Sequence, residues 1–223
     1  YILHKVFTLN NSVKENLKNY NFHKIYKELL NFCTLDLSSF YFDIRKDTLY
    51  CDSLNSKKRK DCLIVLNIIL DCLLKWFAPI FVFTTEEIHN LINKDGNSIH
   101  ESIFMNIPQN WENNKLNEKW RELFKIKQEV NVAIEQKRSV KEIGSSLEAE
   151  VEILTNSKNF DLMEKLDLAE YFITSKAIKI KNKNNDDENK ILVKKAVGKK
   201  CPRCWKILEN NCERCEKAGK ETI

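Results

Sequence analysis

Two closely spaced pairs of cysteines near the end of the chain constrain its fold more than any other feature. Seven residues separate the pairs, which gives the set Cys201, Cys204, Cys212 and Cys215. Each Cys-x-x-Cys pair can turn two sulfurs toward one ion, and two pairs complete a tetrahedron. The chain has no secretory features, so this spacing favours a metal site over disulfides. We therefore predict one Zn²⁺, with a redox dithiol or chance clustering as the alternatives.

Four thiolates around one ion leave no position open for water or substrate. The predicted site is therefore structural, and it holds a short segment that cannot build a hydrophobic core of its own. The other cysteines stand in apolar surroundings without ligand-like spacing, and we interpret them as small buried hydrophobic residues. They are Cys33, Cys51, Cys62 and Cys72.

The positive charge of the chain is concentrated around the same cysteines. The formal net charge is +5, and the residues from Lys194 onward contain nine basic and four acidic side chains. The preceding 28 basic and 28 acidic residues cancel. This excess predicts an anionic partner, with nucleic acid as the first candidate and a solvated, disordered basic end as the alternative. The candidate contacts are Lys199, Lys200, Arg203, Trp205 and Lys206.

Trp205 has two interpretations, because its ring can stack on an unpaired base or pack against the cysteine turn. A second basic cluster, Lys57, Lys58 and Arg59, adds candidate contacts from charge alone.

The pattern of apolar residues predicts a mainly α fold. The chain has only 4 Gly and 3 Pro, and helical spacing dominates residues 1–92 and returns in a long helix over about 114–137. Alternating stretches at 149–154, 177–180 and 191–197 are strand candidates. We predict a helical bundle (1–112), a long helix with a small α+β unit (113–197) and a four-cysteine zinc module (198–223).

An apolar stretch from Cys62 to Phe83 raises the possibility of a membrane span. Asn67, Asp71 and Lys75 interrupt it at four-residue spacing, so Asp71 and Lys75 can pair along one helix face. Two ions inside a bilayer cost several kcal/mol, roughly 2.5–3.5 each at the helix centre. A buried core helix is therefore expected.

No signal peptide is visible, and the start at Tyr1, inside what looks like a helix, indicates a fragment.

Several segments resemble bacterial isoleucyl-tRNA synthetases, in that family's order. The tail KCPRCW with CERC is similar to their zinc tail, which also occurs in formamidopyrimidine-type DNA glycosylases. The other matching segments are DLSSFYFD (36–43), KDTLY (46–50), API (78–80), FTTEEI (83–88), NVAIE (131–135) and IGSSLEA (143–149).

The residues within these segments have mostly structural interpretations. We expect Phe40, Tyr41 and Tyr50 to be core aromatics rather than base platforms. Asp47 is expected to order a nearby loop or to form an ion pair with Lys46 or Arg45. Glu86 is expected to serve the start of a helix.

The resemblance implies an anticodon-binding bundle that accepts the stem-loop of an isoleucine tRNA. It also implies a catalytic domain in the same polypeptide, which uses ATP and Mg²⁺, and a monomeric, cytoplasmic enzyme with no membrane partner. The chain contains neither the HIGH nor the KMSKS signature of that enzyme class and no Gly-rich phosphate loop. This chain alone is therefore predicted to be catalytically inactive.

Two other functions stay open at this point. One is a DNA-repair glycosylase fragment whose zinc hairpin grips duplex DNA. The other is a helical interaction module, in which zinc only holds the end of the chain together.

Overall fold

The computed structural model describes residues 1–94, 96–182 and 188–220. The chain forms two compact units, each of which draws on two stretches of sequence. Unit 1 comprises residues 1–45 and 57–114, and unit 2 comprises residues 46–56 and 115–223. Helices predominate and strands are few, which confirms the predicted mainly α class.

Unit 1 is helical throughout its regular structure. Its elements are α1 (Ile2–Lys18), α2 (Phe22–Asn31), a π-helical segment (Phe32–Phe42), the start of α3 (Asp43–Cys51), α4 (Lys57–Phe77), α5 (Val82–Ile92) and two 3₁₀ turns (Ile99–Glu101 and Gln109–Trp111). Helix α4 ends just before Ala78-Pro79, because proline has no amide hydrogen and cannot continue the backbone ladder.

The core of unit 1 is built from one face of each long helix. In α1 the buried residues Ile2, Val6 and Val13 are spaced by four and seven positions, which places them on one face, and Val6 and Val13 are fully buried. They share a core with the π-helical segment, α2 and α4; its buried members are Ile2, Val6, Phe7, Val13, Ile25, Leu29, Phe32, Leu37, Ile69, Cys72, Trp76 and Ile107.

Helix α4 confirms the expected core helix. Ile69, Cys72 and Trp76 are buried in the core of unit 1. The Lys75 ammonium donates to the Asp71 carboxylate at 2.8 Å on the same helix, which is the predicted i,i+4 pair. Within residues 1–94, 96–182 and 188–220, no helix combines the length and the apolar character that crossing a membrane requires.

The expected role of Glu86 at a helix start is wrong. Helix α5 begins at Val82, so Glu86 lies in its second turn. Its carboxylate accepts hydrogen bonds from the Ile99 amide and the Ser98 hydroxyl, both at 2.9 Å. Glu86 therefore holds the 3₁₀ turn that follows α5 in sequence, within the same unit.

Unit 2 combines helices with a small mixed sheet. Its elements are the end of α3, α6 (Asn114–Ser139), a 3₁₀ turn (Ser146–Glu148), β1 (Ala149–Thr155), α7 (Ser157–Leu162), α8 (Leu168–Tyr171), β2 (Lys176–Lys181), β3 (Lys190–Lys195), β4 (Lys199–Lys200), β5 (Ile207–Leu208) and α9 (Glu213–Lys220). The three predicted strands and the predicted long helix are thus confirmed.

The three-stranded sheet has the order β2-β1-β3. Strand β1 pairs in parallel with β2 and antiparallel with β3, with Val151 opposite Ala177 on one side and Val193 on the other. Residues along β1 alternate between fully and partly buried, because successive side chains point to opposite faces of the sheet.

Helix α6 buries one side at spacings of three and four residues, through Leu123, Ile126, Val130 and Ile134. Lys127, a half-buried residue, lies on the same side of the helix. Its ammonium group donates to the Tyr171 carbonyl at 2.8 Å and lies 5.0 Å from the centre of the Tyr171 ring. A hydrogen-bond acceptor and a ring face therefore accommodate the charge beside the core.

Candidate metal centre and nucleic-acid interface

The structure of unit 2 brings the four cysteines of the predicted metal site together. The ligand atoms of Cys201, Cys204, Cys212 and Cys215 all lie within 4.8 Å of one another. The sulfurs of Cys204 and Cys212 are 3.9 Å apart. A tetrahedron with metal–sulfur bonds of about 2.3 Å has edges of about 3.8 Å, whereas a disulfide needs about 2.05 Å. The sulfur arrangement therefore fits one tetrahedral metal ion.

A tight turn between the first two cysteines aims their sulfurs inward. The Trp205 amide donates to the Cys201 carbonyl at 3.0 Å, and the Cys201 amide donates to the Lys206 carbonyl at 2.9 Å. Trp205 has a φ of +64°, in the left-handed region that a side chain other than glycine adopts at a cost. The chain thus reverses direction directly after Cys204.

The same turn changes the acidity of the thiols. Burial acts to raise the pKa of Cys201, but backbone hydrogen bonds from Cys204 and Arg203 outweigh it and lower that pKa to about 7. Burial raises the pKa of both Cys204 and Cys215. Since thiolate is the form that binds metal, these hydrogen bonds favour the ligand form of Cys201.

A two-stranded hairpin carries the first pair of cysteines. Strand β4 pairs antiparallel with β5, with Lys200 opposite Ile207. Gly198 precedes the hairpin at a φ of +132°, and a Cβ atom there would lie 2.2 Å from the Leu208 carbonyl oxygen. Only glycine allows this close approach of the two backbone segments.

Ser175 joins the hairpin to the three-stranded sheet. It lies immediately before β2 and is 8% exposed. Its hydroxyl donates to the Leu147 carbonyl and accepts a hydrogen bond from the Ile207 amide at 2.6 Å. One buried hydroxyl therefore satisfies two backbone groups from different parts of unit 2.

Residues 46–56 also contribute to the surroundings of the cysteines. The Asp47 carboxylate, for which the sequence suggested a local role, accepts two hydrogen bonds from Arg214 on α9, at 2.6 and 2.9 Å. The Thr48 hydroxyl donates to the Glu170 carboxylate at 3.1 Å. These contacts explain why the end of α3 belongs to unit 2.

Cys51 lies against the metal cysteines as a fifth cysteine. It is 4% exposed and packs in one buried cluster with Cys201, Cys204 and Cys215. Burial, followed by the nearby Asp47 carboxylate, raises the pKa of Cys51 to about 11, so it stays a neutral thiol. The expectation of a small buried residue is correct here, although its neighbours are the candidate ligands rather than an apolar core.

The predicted RNA contacts near the cysteines differ in exposure. Lys199 and Lys200 are exposed on β4, and the Trp205 ring is 60% exposed. Lys206 is half-buried. The Arg203 guanidinium donates to the Tyr50 carbonyl at 3.0 Å, near the end of α3, where the helix dipole favours a cation.

The second predicted basic cluster lies in unit 1. Lys57, Lys58 and Arg59 form the first turn of α4, with the two lysines exposed and the arginine half-buried.

The predictions for the aromatic residues are confirmed in part. Phe40 is buried, but Tyr50 is 75% exposed and is not a core residue.

Sequence reasoning missed several residues that build the metal centre. Asp47, Cys51 and Ser175 are distant in sequence from the cysteines they support, and the chain offers no local pattern that marks them. Gly198 had a signal, because it is one of only 4 glycines and directly precedes the first ligand pair.

Comparison with known proteins shows which family and which relatives this chain resembles. A family model described as the anticodon-binding domain of tRNA ligase matches residues 1–153. The isoleucine–tRNA ligase of Pelagibacter ubique is 55% identical over 214 residues, which are 96% of this chain and 23% of that protein. The isoleucine–tRNA ligases of Bartonella quintana and Agrobacterium fabrum are 37% and 38% identical, over 94% and 92% of this chain.

The chain spans less than a quarter of the length of these relatives, 23%, 23% and 22% respectively. The family match nevertheless covers more than half of the chain itself. The chain therefore belongs to the family of anticodon-binding domains of tRNA ligases.

Proposed function

We propose that this chain reads the anticodon stem-loop of an isoleucine tRNA as part of an isoleucine–tRNA ligase, the enzyme also called isoleucyl-tRNA synthetase. The observation that carries the proposal is the family match over residues 1–153, extended by 55% identity to a relative of that name over 96% of the chain. Anticodon loops suit such recognition because their unpaired bases can be stacked upon and hydrogen-bonded at their edges.

The four cysteines would hold one structural Zn²⁺. Support comes from the all-sulfur ligand set and its tetrahedral spacing. The elements around the cysteines are also short: a hairpin whose strands have two residues each, and an eight-residue helix. Such elements bury little apolar surface, so a metal would supply much of their folding free energy. When bound, Zn²⁺ would act as a cross-link with no open position for chemistry.

RNA contacts would come from side chains next to this metal. Lys199 and Lys200 would neutralise phosphates, and the exposed Trp205 ring would stack on a base. Lys206 and Arg203 would add positive charge at the same surface. In unit 1, Lys57, Lys58 and Arg59 would bind phosphates from the start of α4.

The proposal also extends to the rest of the enzyme. Isoleucine activation with ATP and Mg²⁺ would belong to a catalytic domain elsewhere in a monomeric, cytoplasmic polypeptide, and this chain would be inactive by itself. Its functional parts would be the bundle (1–112), the junction unit (113–197) and the zinc module (198–223).

One binding experiment separates RNA recognition from the alternatives. Fluorescence anisotropy would compare the zinc-loaded chain on a labelled anticodon stem-loop and on a DNA duplex of equal length, across a salt series. The proposal predicts preferential, salt-weakened binding to the RNA. Preference for the DNA duplex would support a DNA-binding module instead, and absence of binding to both would support a protein interaction module.

A further inference from the structure

An arginine lies between the last two candidate ligands. Arg214, on α9, follows Cys212 by two residues and directly precedes Cys215. Its guanidinium forms a two-pronged ion pair with Asp47, at 2.6 and 2.9 Å, and also contacts Asp52 at 3.3 Å. The side chains are 36%, 25% and 11% exposed for Arg214, Asp47 and Asp52, so the pair is partly shielded from water.

The same guanidinium reaches the candidate metal ligands. Arg214 is the sequence neighbour of Cys215, and its partner Asp47 lies one helical turn before Cys51, which packs in one buried cluster with Cys201, Cys204 and Cys215. After Asp47, the electrostatic interactions of the guanidinium include the sulfurs of Cys204 and Cys215. The cation therefore lies between a carboxylate and the candidate ligand sulfurs. Lysine has no planar fork and cannot reproduce this geometry.

The negative charge around Arg214 explains why a cation is favourable at this position. Four thiolates around Zn²⁺ carry a formal charge near −2, and the carboxylates of Asp47 and Asp52 add negative charge nearby. A cation between them converts this repulsion into attraction. Hydrogen bonds to ligating groups also fix the orientation of those groups and tune the affinity for the metal.

We propose that Arg214 and Asp47 are positioning residues of the metal site: Asp47 orients Arg214 beside the ligand sulfurs, and Arg214 offsets the charge of the metal–thiolate group. The inference rests on the proposed zinc site. It makes the metal affinity depend on residues 46–56, more than 140 positions before the first ligand, which makes the end of α3 a functional part of the centre.

The test is a competition for Zn²⁺ between the full 223-residue chain and a chromophoric chelator. Arg214→Gln is expected to raise the zinc dissociation constant roughly 10–100-fold. Lys217→Gln removes a charge from an exposed position on the same helix and is the matched control, with unchanged affinity expected. Equal affinity of these two variants would overturn the proposal.

A double variant tests how the two residues act together. In Arg214→Gln the Asp47 carboxylate is left facing the thiolates, so Arg214→Gln with Asp47→Asn should bind zinc more tightly than Arg214→Gln alone. If the losses of zinc affinity in the two single variants simply add in the double variant, a shared action of Arg214 and Asp47 is contradicted. If Arg214→Gln does not fold, as judged by circular dichroism, then Arg214→Lys and Asp47→Asn decide the question through the same comparison with Lys217→Gln.

A spectroscopic measurement distinguishes action on the sulfur from general support of the fold. With Co²⁺ in place of Zn²⁺, the sulfur-to-cobalt charge-transfer band should shift in Arg214→Gln and stay unchanged in Lys217→Gln. An unchanged band in both would overturn the action of Arg214 on the ligand sulfurs. If the unsubstituted chain binds no stoichiometric metal, the zinc site itself is refuted; if it binds one ion with equal affinity in all variants, only the role of Arg214 and Asp47 is refuted.

Discussion

The hydroxyl oxygen of Ser175 lies 2.6 Å from the amide nitrogen of Ile207, and this hydrogen bond ties the cysteine hairpin to the three-stranded sheet. Ser175 makes a second bond by donating to the Leu147 carbonyl. Because the hydroxyl is buried, neither backbone partner can readily find water as a substitute. A single small side chain thus contributes directly to the position of the hairpin within unit 2.

Replacement of Ser175 by alanine should therefore destabilise unit 2. Two backbone groups lose the buried hydroxyl that is their partner, and we expect a loss of about 1–3 kcal/mol in the free energy of unfolding. Urea denaturation of the zinc-loaded chain measures this loss. Ser38→Ala, at an exposed serine, is the control and should change the free energy by less than about 0.5 kcal/mol. Equal stability of the two variants would refute the role assigned to Ser175.

Gly198 supports a second prediction about the hairpin. In Gly198→Ala the new Cβ atom would clash with the Leu208 carbonyl oxygen. Alanine would also have to adopt the unfavourable φ of +132°. We expect a loss of stability of at least about 1–3 kcal/mol. Gly96 also has a positive φ, +75°, but a Cβ atom there would meet nothing within 4 Å, so Gly96→Ala isolates the backbone cost. Thermal unfolding should show the larger decrease for Gly198→Ala, and the opposite order would contradict the close approach.

Glu86 gives unit 1 a pH-dependent contact. The Ile99 amide is the largest cause, followed by the Ser98 hydroxyl, of a pKa below the ordinary 4.5 of this carboxyl. A lowered folded-state pKa means that the stabilisation is complete above 4.5 and is lost as the pH falls through the folded-state value. Glu86→Gln should therefore flatten the acid side of the curve of stability against pH. Glu87→Gln, at an exposed neighbour, should leave that curve unchanged.

The candidate metal site and the helical class follow directly from local patterns in the sequence. The ligand spacing of Cys201, Cys204, Cys212 and Cys215 is enough to identify them, because each pair forms its own turn. The long helix α6 and the strand β1 are likewise predicted from their periods of burial, near 3.6 and 2 residues.

Contacts between distant segments could not be predicted in this way. Asp47 and Arg214 are 167 residues apart, and nothing in the spacing near Asp47 favours that partner over the adjacent Lys46 or Arg45. Glu86 was misassigned for a related reason. Helix α5 starts at Val82, four residues before Glu86, so the carboxylate lies in the second turn and binds a segment more than ten residues later.

Trp205 provides a test of RNA recognition that does not depend on stability. Its ring is 60% exposed, so Trp205→Ala should leave zinc binding and unfolding nearly unchanged. The loss of one base–aromatic stack should weaken binding to the anticodon stem-loop by about 1–3 kcal/mol. Phe83, which is 88% exposed, has no assigned RNA contact, and Phe83→Ala is the control. Equal affinities of the two variants would exclude stacking by Trp205.

Lys199 and Lys200 should govern the salt dependence of that binding. If each neutralises one phosphate of the loop, replacing both by glutamine should reduce the slope of log affinity against log salt by about 1.4, at roughly 0.7 per contact. An anisotropy titration at several salt concentrations measures this slope. An unchanged slope would place the phosphate contacts elsewhere on the chain.

The most direct test of the central claim is discrimination between anticodons. The zinc-loaded chain would be titrated by fluorescence anisotropy onto an isoleucine anticodon stem-loop and onto the same stem-loop with its anticodon replaced. Anticodon reading predicts tighter binding to the isoleucine loop at both low and moderate salt, because base contacts specify while phosphate contacts only add affinity. Equal affinity for the two loops would contradict the assignment of this chain as an anticodon reader.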